Sequence, residues 1–147
     1  TGARRGLVCA TAGAIIRNFV RAEKLGRTMS NDTLIRISPD TARGADVCYV
    51  SYDRLPQCST PDGILEVPPD LVIEVRSPSD LWTDALAKML DYIRIGVPVV
   101  VILDPPTESA SVYRPDTRQD IFEKDQTLTL PDALPGFSVP VARFFEE

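Results

Sequence analysis

Leu71-Val72-Ile73-Glu74-Val75 is an apolar run of strand length with a carboxylate inside it, bounded by Pro68-Pro69 before and by Pro78 after. Its length, its branched side chains and the flanking prolines suit a buried central strand. Glu74 does not. An unpaired buried charge costs several kcal/mol or neutralises itself, so this carboxylate must meet a metal cation, a lysine or arginine, or the mouth of a cleft. Side chains alternate along a strand, which puts Val72, Glu74 and Arg76 on one face and Leu71, Ile73 and Val75 on the other. One face is core; the other carries chemistry.

The rest of the chain supplies partners for such a strand. Val8, Ala12, Ile15, Phe19 and Ala22 recur at helical spacing between Gly6 and about Lys24, which predicts an amphipathic helix closed by Gly26. Residues 26–29 and 33–37 read as two short strands of a hairpin around Ser30-Asn31-Asp32, and 38–44 as a loop. Residues 46–50 read as a strand with Asp46 at its start, and 53–67 as a long loop. After Glu74, the cluster Ser77-Pro78-Ser79-Asp80 offers caps to a helix running to about Ile95 and ended by Gly96. Trp82, Leu86, Met89 and Ile93 form its stripe, with Lys88 at the edge beside Leu81 and Tyr92. Strands are expected at 97–103 and 111–114, more exposed ones at 121–124 and 126–130, and an apolar closing segment from 135 to 145. This order predicts an α/β fold with a mixed β-sheet flanked by helices.

A length of 147 residues, 44% hydrophobic and 25% charged, fits one globular domain over residues 1–147. The first residue is Thr1, so a natural N-terminal segment is expected to be missing. No apolar run reaches membrane-spanning length and no signal-peptide pattern is present, which predicts a soluble cytoplasmic protein without a membrane partner. Cys9, Cys48 and Cys58 are odd in number and lack metal-binding spacing, so free thiols are expected. The chain has no histidine, which removes Ser-His-Asp and Cys-His catalysis and the usual imidazole zinc sites together. A net charge of -5 argues against a uniformly basic nucleic-acid surface but not against a local one.

Carboxylate and lysine chemistry remains. Asp46 and Glu74 on adjacent strands, with Lys88 on the next helix and Arg76 two residues past the glutamate, form the candidate site. Two carboxylates are what Mg²⁺ or Mn²⁺ takes from a protein, leaving water and phosphate oxygens to complete the shell. A lysine beside such an ion can orient or deprotonate its water. Each residue also has a plainer reading: Asp46 caps a turn after Gly44, Lys88 belongs to a solvated face with Asp84 and Asp91, and Arg76 neutralises Glu74.

The stretch Ala45-Asp46-Val47, then Pro69-Asp70-Leu71-Val72-Ile73-Glu74-Val75-Arg76-Ser77-Pro78-Ser79-Asp80, resembles the Uma-type restriction-endonuclease family of bacteria, within the PD-(D/E)XK nuclease superfamily. The similarity continues through Lys88, Met89, Tyr92 and Gly96-Val97 to Val101-Ile102-Leu103-Asp104-Pro105, Val112-Tyr113-Arg114, Leu134-Pro135-Gly136-Phe137 and Phe144. It implies a restriction-endonuclease-like core and a Mg²⁺-dependent (or Mn²⁺-dependent) endonuclease hydrolysing DNA, with Asp46 and Glu74 as metal ligands and Lys88 as the superfamily's lysine, moved onto the helix. That lysine ordinarily lies two residues after the glutamate, where this chain has Arg76, which cannot serve as a base. Arg76 and Ser77 are then expected to assist at the phosphate, and Arg4, Arg5, Arg17 and Arg21 are candidates for the DNA backbone. Many relatives carry a histidine-glycine pair where this chain has Arg5-Gly6. The alternative implied by Arg76 is a catalytically impaired nuclease fold kept as a binding or homodimerisation module. A homodimer also suits cutting of both strands of a duplex.

Overall fold

The computed structural model describes residues 2–59, 61–116 and 118–147. Helix α1 (Ala3–Ala22) leads into β1 (Gly26–Ser38), β2 (Thr41–Ser51) and β3 (Leu71–Val75). Helix α2 (Trp82–Ile95) follows, then β4 (Val100–Asp104), β5 (Ser109–Tyr113), β6 (Gln119–Phe122), β7 (Thr127–Leu130), β8 (Leu134–Pro140) and a short 3-10 helix, Val141–Phe145. Strands β1 to β6 form one sheet in sequence order, and β7 and β8 form a separate two-stranded sheet. Only β3 and β4 run parallel; α2 is the crossover between them, and the other neighbours are antiparallel. Every residue of β3 and of β4 is buried, as expected where both faces of a parallel pair are covered.

Two apolar layers sandwich the sheet. Leu71, Ile73 and Val75 of β3 pack with Val8, Ala12, Ile16 and Val20 of α1 and with the β7–β8 hairpin, where Phe19 meets Phe137 edge-on at 5.3 Å. Val72 packs on the opposite face with Met89 and Tyr92 of α2 and with Leu55 and Leu65 from the long loop. The alternation expected for β3 therefore holds, and burying such side chains stabilises the fold by roughly 1.5–3 kcal/mol each.

Three sequence expectations are corrected. The hairpin does not turn at Ser30-Asn31-Asp32: β1 is one continuous strand, and its ladder with β2 shifts register between Ser30 and Thr33. Asn31 and Asp32 take positive φ, 61° and 58°, which these two residue types tolerate better than most. The chain turns instead at Pro39-Asp40, so residues 41–44 are strand rather than loop and Asp46 sits mid-strand. Helix α2 begins at Trp82 with no side-chain cap, because Leu81 stands at the cap position, and Asp80 instead closes a turn on the Ser77 N–H at 3.1 Å. Residues 134–140, read only as a closing segment, form β8 against β7. Gly96 does end α2, with φ 107°. Among the described residues no helix is long and apolar enough to cross a membrane.

A candidate metal and nuclease site

Strand pairing brings the two acids together. The antiparallel ladder pairs Cys48 with Val72 and Val47 with Ile73, so one further step sets Asp46 opposite Glu74. Cys48 and Val72 both point into the α2 layer, and by alternation Asp46 and Glu74 share that face. Each carboxylate accepts a hydrogen bond from the other's strand: the Asp46 N–H donates to Glu74 Oε2 at 3.0 Å, and the Val75 N–H donates to Asp46 Oδ2 at 2.8 Å. Both acids are buried, with 5% of Asp46 and 6% of Glu74 exposed, yet both line a cleft of about 210 Å³.

Cations reach them from two helices. The Lys88 ammonium on α2 contacts Glu74 Oε1 and also donates to the Gly44 carbonyl at 3.1 Å. Tyr92, one turn further along, places its hydroxyl 3.2 Å from Glu74 Oε1 and 3.3 Å from the Gly44 oxygen. Arg5, near the start of α1, reaches past the end of β3: Nη2 donates to Asp46 Oδ1 at 2.5 Å and Nε to the Val75 carbonyl at 2.9 Å.

The electrostatics follow from this crowding. Burial, and then the Asp46 charge, push the Glu74 carboxyl up to about 7, against the pull of Lys88. The Tyr92 phenol is raised by burial and by Glu74, so it remains a donor. Burial opposes the Arg5 charge, but Asp46 outweighs it and holds the guanidinium above its ordinary value. Burial raises the Cys9 thiol to about 11, and the Arg5 beside it does not offset this, so Cys9 is no thiolate nucleophile. Cys9, Cys48 and Cys58 are all free.

Arg76 lines the same cleft but does not neutralise Glu74. Its guanidinium is held by Asp104 at 2.8 Å and by the Asp80 carbonyl at 3.0 Å, and it lies 4.9 Å from the centre of the Trp82 ring. The other Asp104 oxygen accepts the Thr107 hydroxyl at 2.7 Å. Ser77 Oγ is paired with Ser79 Oγ at 2.9 Å. Arg4 binds the Pro105 carbonyl at 2.9 Å, while Arg17 and Arg21 are exposed roughly three to four helical turns beyond Arg5. Four features of the site escaped the sequence reading: the Arg5 contact with Asp46, the Tyr92 hydroxyl, the anchoring of Arg76 by Asp104, and the lining acids Asp80 and Asp84.

The donor set fits a hard divalent ion. Asp46 and Glu74 offer neighbouring carboxylate oxygens with cleft volume beside them, while no group of three or more His, Cys, Asp or Glu side chains placed to hold a metal ion occurs among the described residues. Two protein carboxylates with the remaining positions left to water and phosphate is the habit of Mg²⁺.

The comparisons agree with this architecture. A crystal structure described as "a putative nuclease belonging to DUF820", from Anabaena variabilis ATCC 29413, superposes with a TM-score of 0.87 at 19% identity, covering 99% of this chain and 82% of that one. The comparison with curated proteins gave no match. The model of the Uma2 family, described as "Putative restriction endonuclease", matches residues 1–142, and the chain accordingly belongs to this nuclease family.

Proposed function

We propose that this protein is a Mg²⁺- or Mn²⁺-dependent endonuclease that hydrolyses DNA phosphodiester bonds, with Asp46 and Glu74 as the metal ligands. One observation carries the reading: two buried carboxylates on adjacent strands face the same cleft, each accepting a backbone N–H of the other's strand, with an ammonium beside them. A bound divalent ion supplies Lewis acidity toward the phosphate and a water of lowered pKa. Lys88 orients the attacking water: its ammonium already reaches the Glu74 carboxylate from α2. Arg76 cannot act as a base. Pinned by Asp104, it presents a fixed positive charge on the cleft wall, which favours the charge building on the phosphate without any reorganisation. Tyr92 positions Glu74. A two-fold dimer would bring two such sites to the two strands of a duplex.

Purified full-length protein is expected to cut DNA with Mn²⁺ or Mg²⁺ and to lose that activity in Asp46→Asn and in Glu74→Gln. Absence of cleavage on linear, supercoiled and single-stranded DNA alike would remove the enzymatic reading, and parallel RNA substrates settle which polymer is preferred. A second reading, a nuclease fold kept for binding or self-association, draws on the fact that Arg5 and Lys88 already neutralise the two acids. Under that reading calorimetry finds no divalent ion bound through Asp46 or Glu74.

A further inference from the structure

We propose that Arg5 is a built-in competitor for the cation position at Asp46, and that a divalent ion must displace it toward Asp32. The inference rests on the reading of Asp46 and Glu74 as the metal pair. Its basis is the fork of Arg5: two of its nitrogens bond oxygens of two different strands, Asp46 Oδ1 at 2.5 Å and the Val75 carbonyl at 2.9 Å. A carboxylate oxygen and a carbonyl oxygen held by one guanidinium are hard donors of the sort a divalent ion collects. At present a guanidinium holds them. Asp46 Oδ2 already accepts the Val75 N–H, and Oδ1 is the oxygen that Arg5 covers.

Arginine keeps its charge at every accessible pH, so it cannot leave by losing a proton; it has to move. The structure offers both the slack and a destination. The first turn of α1 has no side-chain cap, and Gly6, next to Arg5, lowers helix propensity there although a Cβ at that position would meet nothing within 4 Å. On the far side of Asp46 lies a second hollow of about 230 Å³, lined by Arg5, Gly6, Cys9, Asn31, Asp32 and Asp46. Asp32 sits there in the β1 bulge, held at φ 58°, with no ion pair among the described residues. A guanidinium pushed off Asp46 thus exchanges one carboxylate for another, and the arriving ion meets Asp46 without the guanidinium on its oxygen, Lys88 remaining at Glu74.

The experiment is Mn²⁺ titration of the full chain by calorimetry, in wild type and in Arg5→Gln, Asp32→Asn and Asp46→Asn, with thermal melts recorded alongside. Arg5→Gln is expected to bind Mn²⁺ roughly tenfold or more tightly than wild type, because a positive charge within a few ångströms of the ion is removed. Asp32→Asn is expected to bind severalfold more weakly, and Asp46→Asn to abolish binding even in combination with Arg5→Gln. An Arg5 with a merely structural role, tethering α1 to β3, predicts the opposite sign: its loss would loosen the site. If Arg5→Gln proves poorly folded, Arg5→Lys serves, since an ammonium cannot span both oxygens and should give an intermediate gain. Equal or weaker affinity in the Arg5 variants, with Asp46→Asn still abolishing binding, overturns the competitor and leaves the metal pair standing. Absence of binding in wild type and in Arg5→Gln alike removes the metal pair, and the competitor with it. An Asp32→Asn affinity equal to wild type removes Asp32 as the receiving group.

Discussion

Glu74 on β3 and Asp104 on β4 are acids on neighbouring parallel strands, 6% and 4% exposed, in opposite circumstances. Asp104 has partners of its own: the Arg76 guanidinium on one oxygen and the Thr107 hydroxyl on the other, with Trp82 beside the guanidinium. Glu74 also has donors, the Tyr92 hydroxyl and the Asp46 N–H, but a second acid faces it and it shares its cation, Lys88, with the Gly44 carbonyl. The first arrangement is complete as it stands and holds β3 to β4. In the second, burial and a like charge raise the cost of ionising Glu74, and a further cation would lower it. Equal burial therefore says little about the role of an acid; its complement of partners says more.

The largest expected effect tests the open pair. Glu74→Gln and Asp46→Asn should each lower metal-dependent DNA cleavage by on the order of 10²–10³-fold or more while leaving the fold intact, because on the proposed mechanism the two carboxylates hold the ion that would stabilise charge developing at the phosphate. Cleavage rates and circular dichroism of the same preparations check both halves of the statement. Retained activity in either variant places the metal elsewhere.

Next in size is the closed pair. Arg76→Ala leaves Asp104 buried without its cation and should cost about 3 kcal/mol or more, seen as a lower urea midpoint. Glu74→Gln in the cation-free protein should leave that midpoint unchanged or raise it. Should the two variants lose the same stability, the contrast between the strands collapses.

A pH series sharpens the comparison further. In the cation-free protein the folded-state pKa of Glu74 is raised from 4.5 to about 7, so between those values the folded state binds more protons than the unfolded one. The stabilisation is fully present below 4.5 and is lost as pH rises through about 7. Scanning calorimetry from pH 5 to pH 8 should show a falling melting temperature for wild type and a flatter profile for Glu74→Gln. The difference between the two isolates Glu74 from Asp46 on β2, Arg5 on α1 and Lys88 and Tyr92 on α2, which surround it in both proteins. Added Mn²⁺ at pH 8 should recover part of the lost stability, since it binds the ionised form.

How much of this was legible in the sequence depends on the range of the forces involved. Glu74 stood out because a charge in a five-residue apolar run is anomalous by itself, and the two faces of β3 followed from alternation. Gly96 announced the end of α2 because a left-handed cap is a local requirement. The β1 bulge was misread because Asn31 and Asp32 favour turns locally, while the long ladder with β2 carries the strand through them. Arg5 gave no signal at all: its partner lies 41 positions away, and an arginine near a helix start is ordinary on its own. Asp104 falls just past the strand expected at 97–103 and gave no sign of a partner, since only the register of β3 with β4 brings it to Arg76.

Tyr92 gives the smallest and most discriminating test. It reads in sequence as an edge residue of a helical stripe, but it is fully buried and its hydroxyl lies 3.2 Å from Glu74 Oε1 and 3.3 Å from the Gly44 carbonyl. Lys88 reaches both of those oxygens as well. Tyr92→Phe therefore removes one donor without leaving either acceptor bare, and should cost only about 1 kcal/mol in a denaturant midpoint. Cation affinity should stay within a few-fold of wild type, because the ligand oxygens and the Lys88 charge are untouched. A loss as large as that of Arg76→Ala would mean that Tyr92 and Glu74 form a closed structural pair of the Asp104 kind, and the carboxylate would then have no valency left for a metal. A small loss, with Mn²⁺ binding retained, is the result expected of an acid whose protein partners are there to hold it in place until a cation arrives.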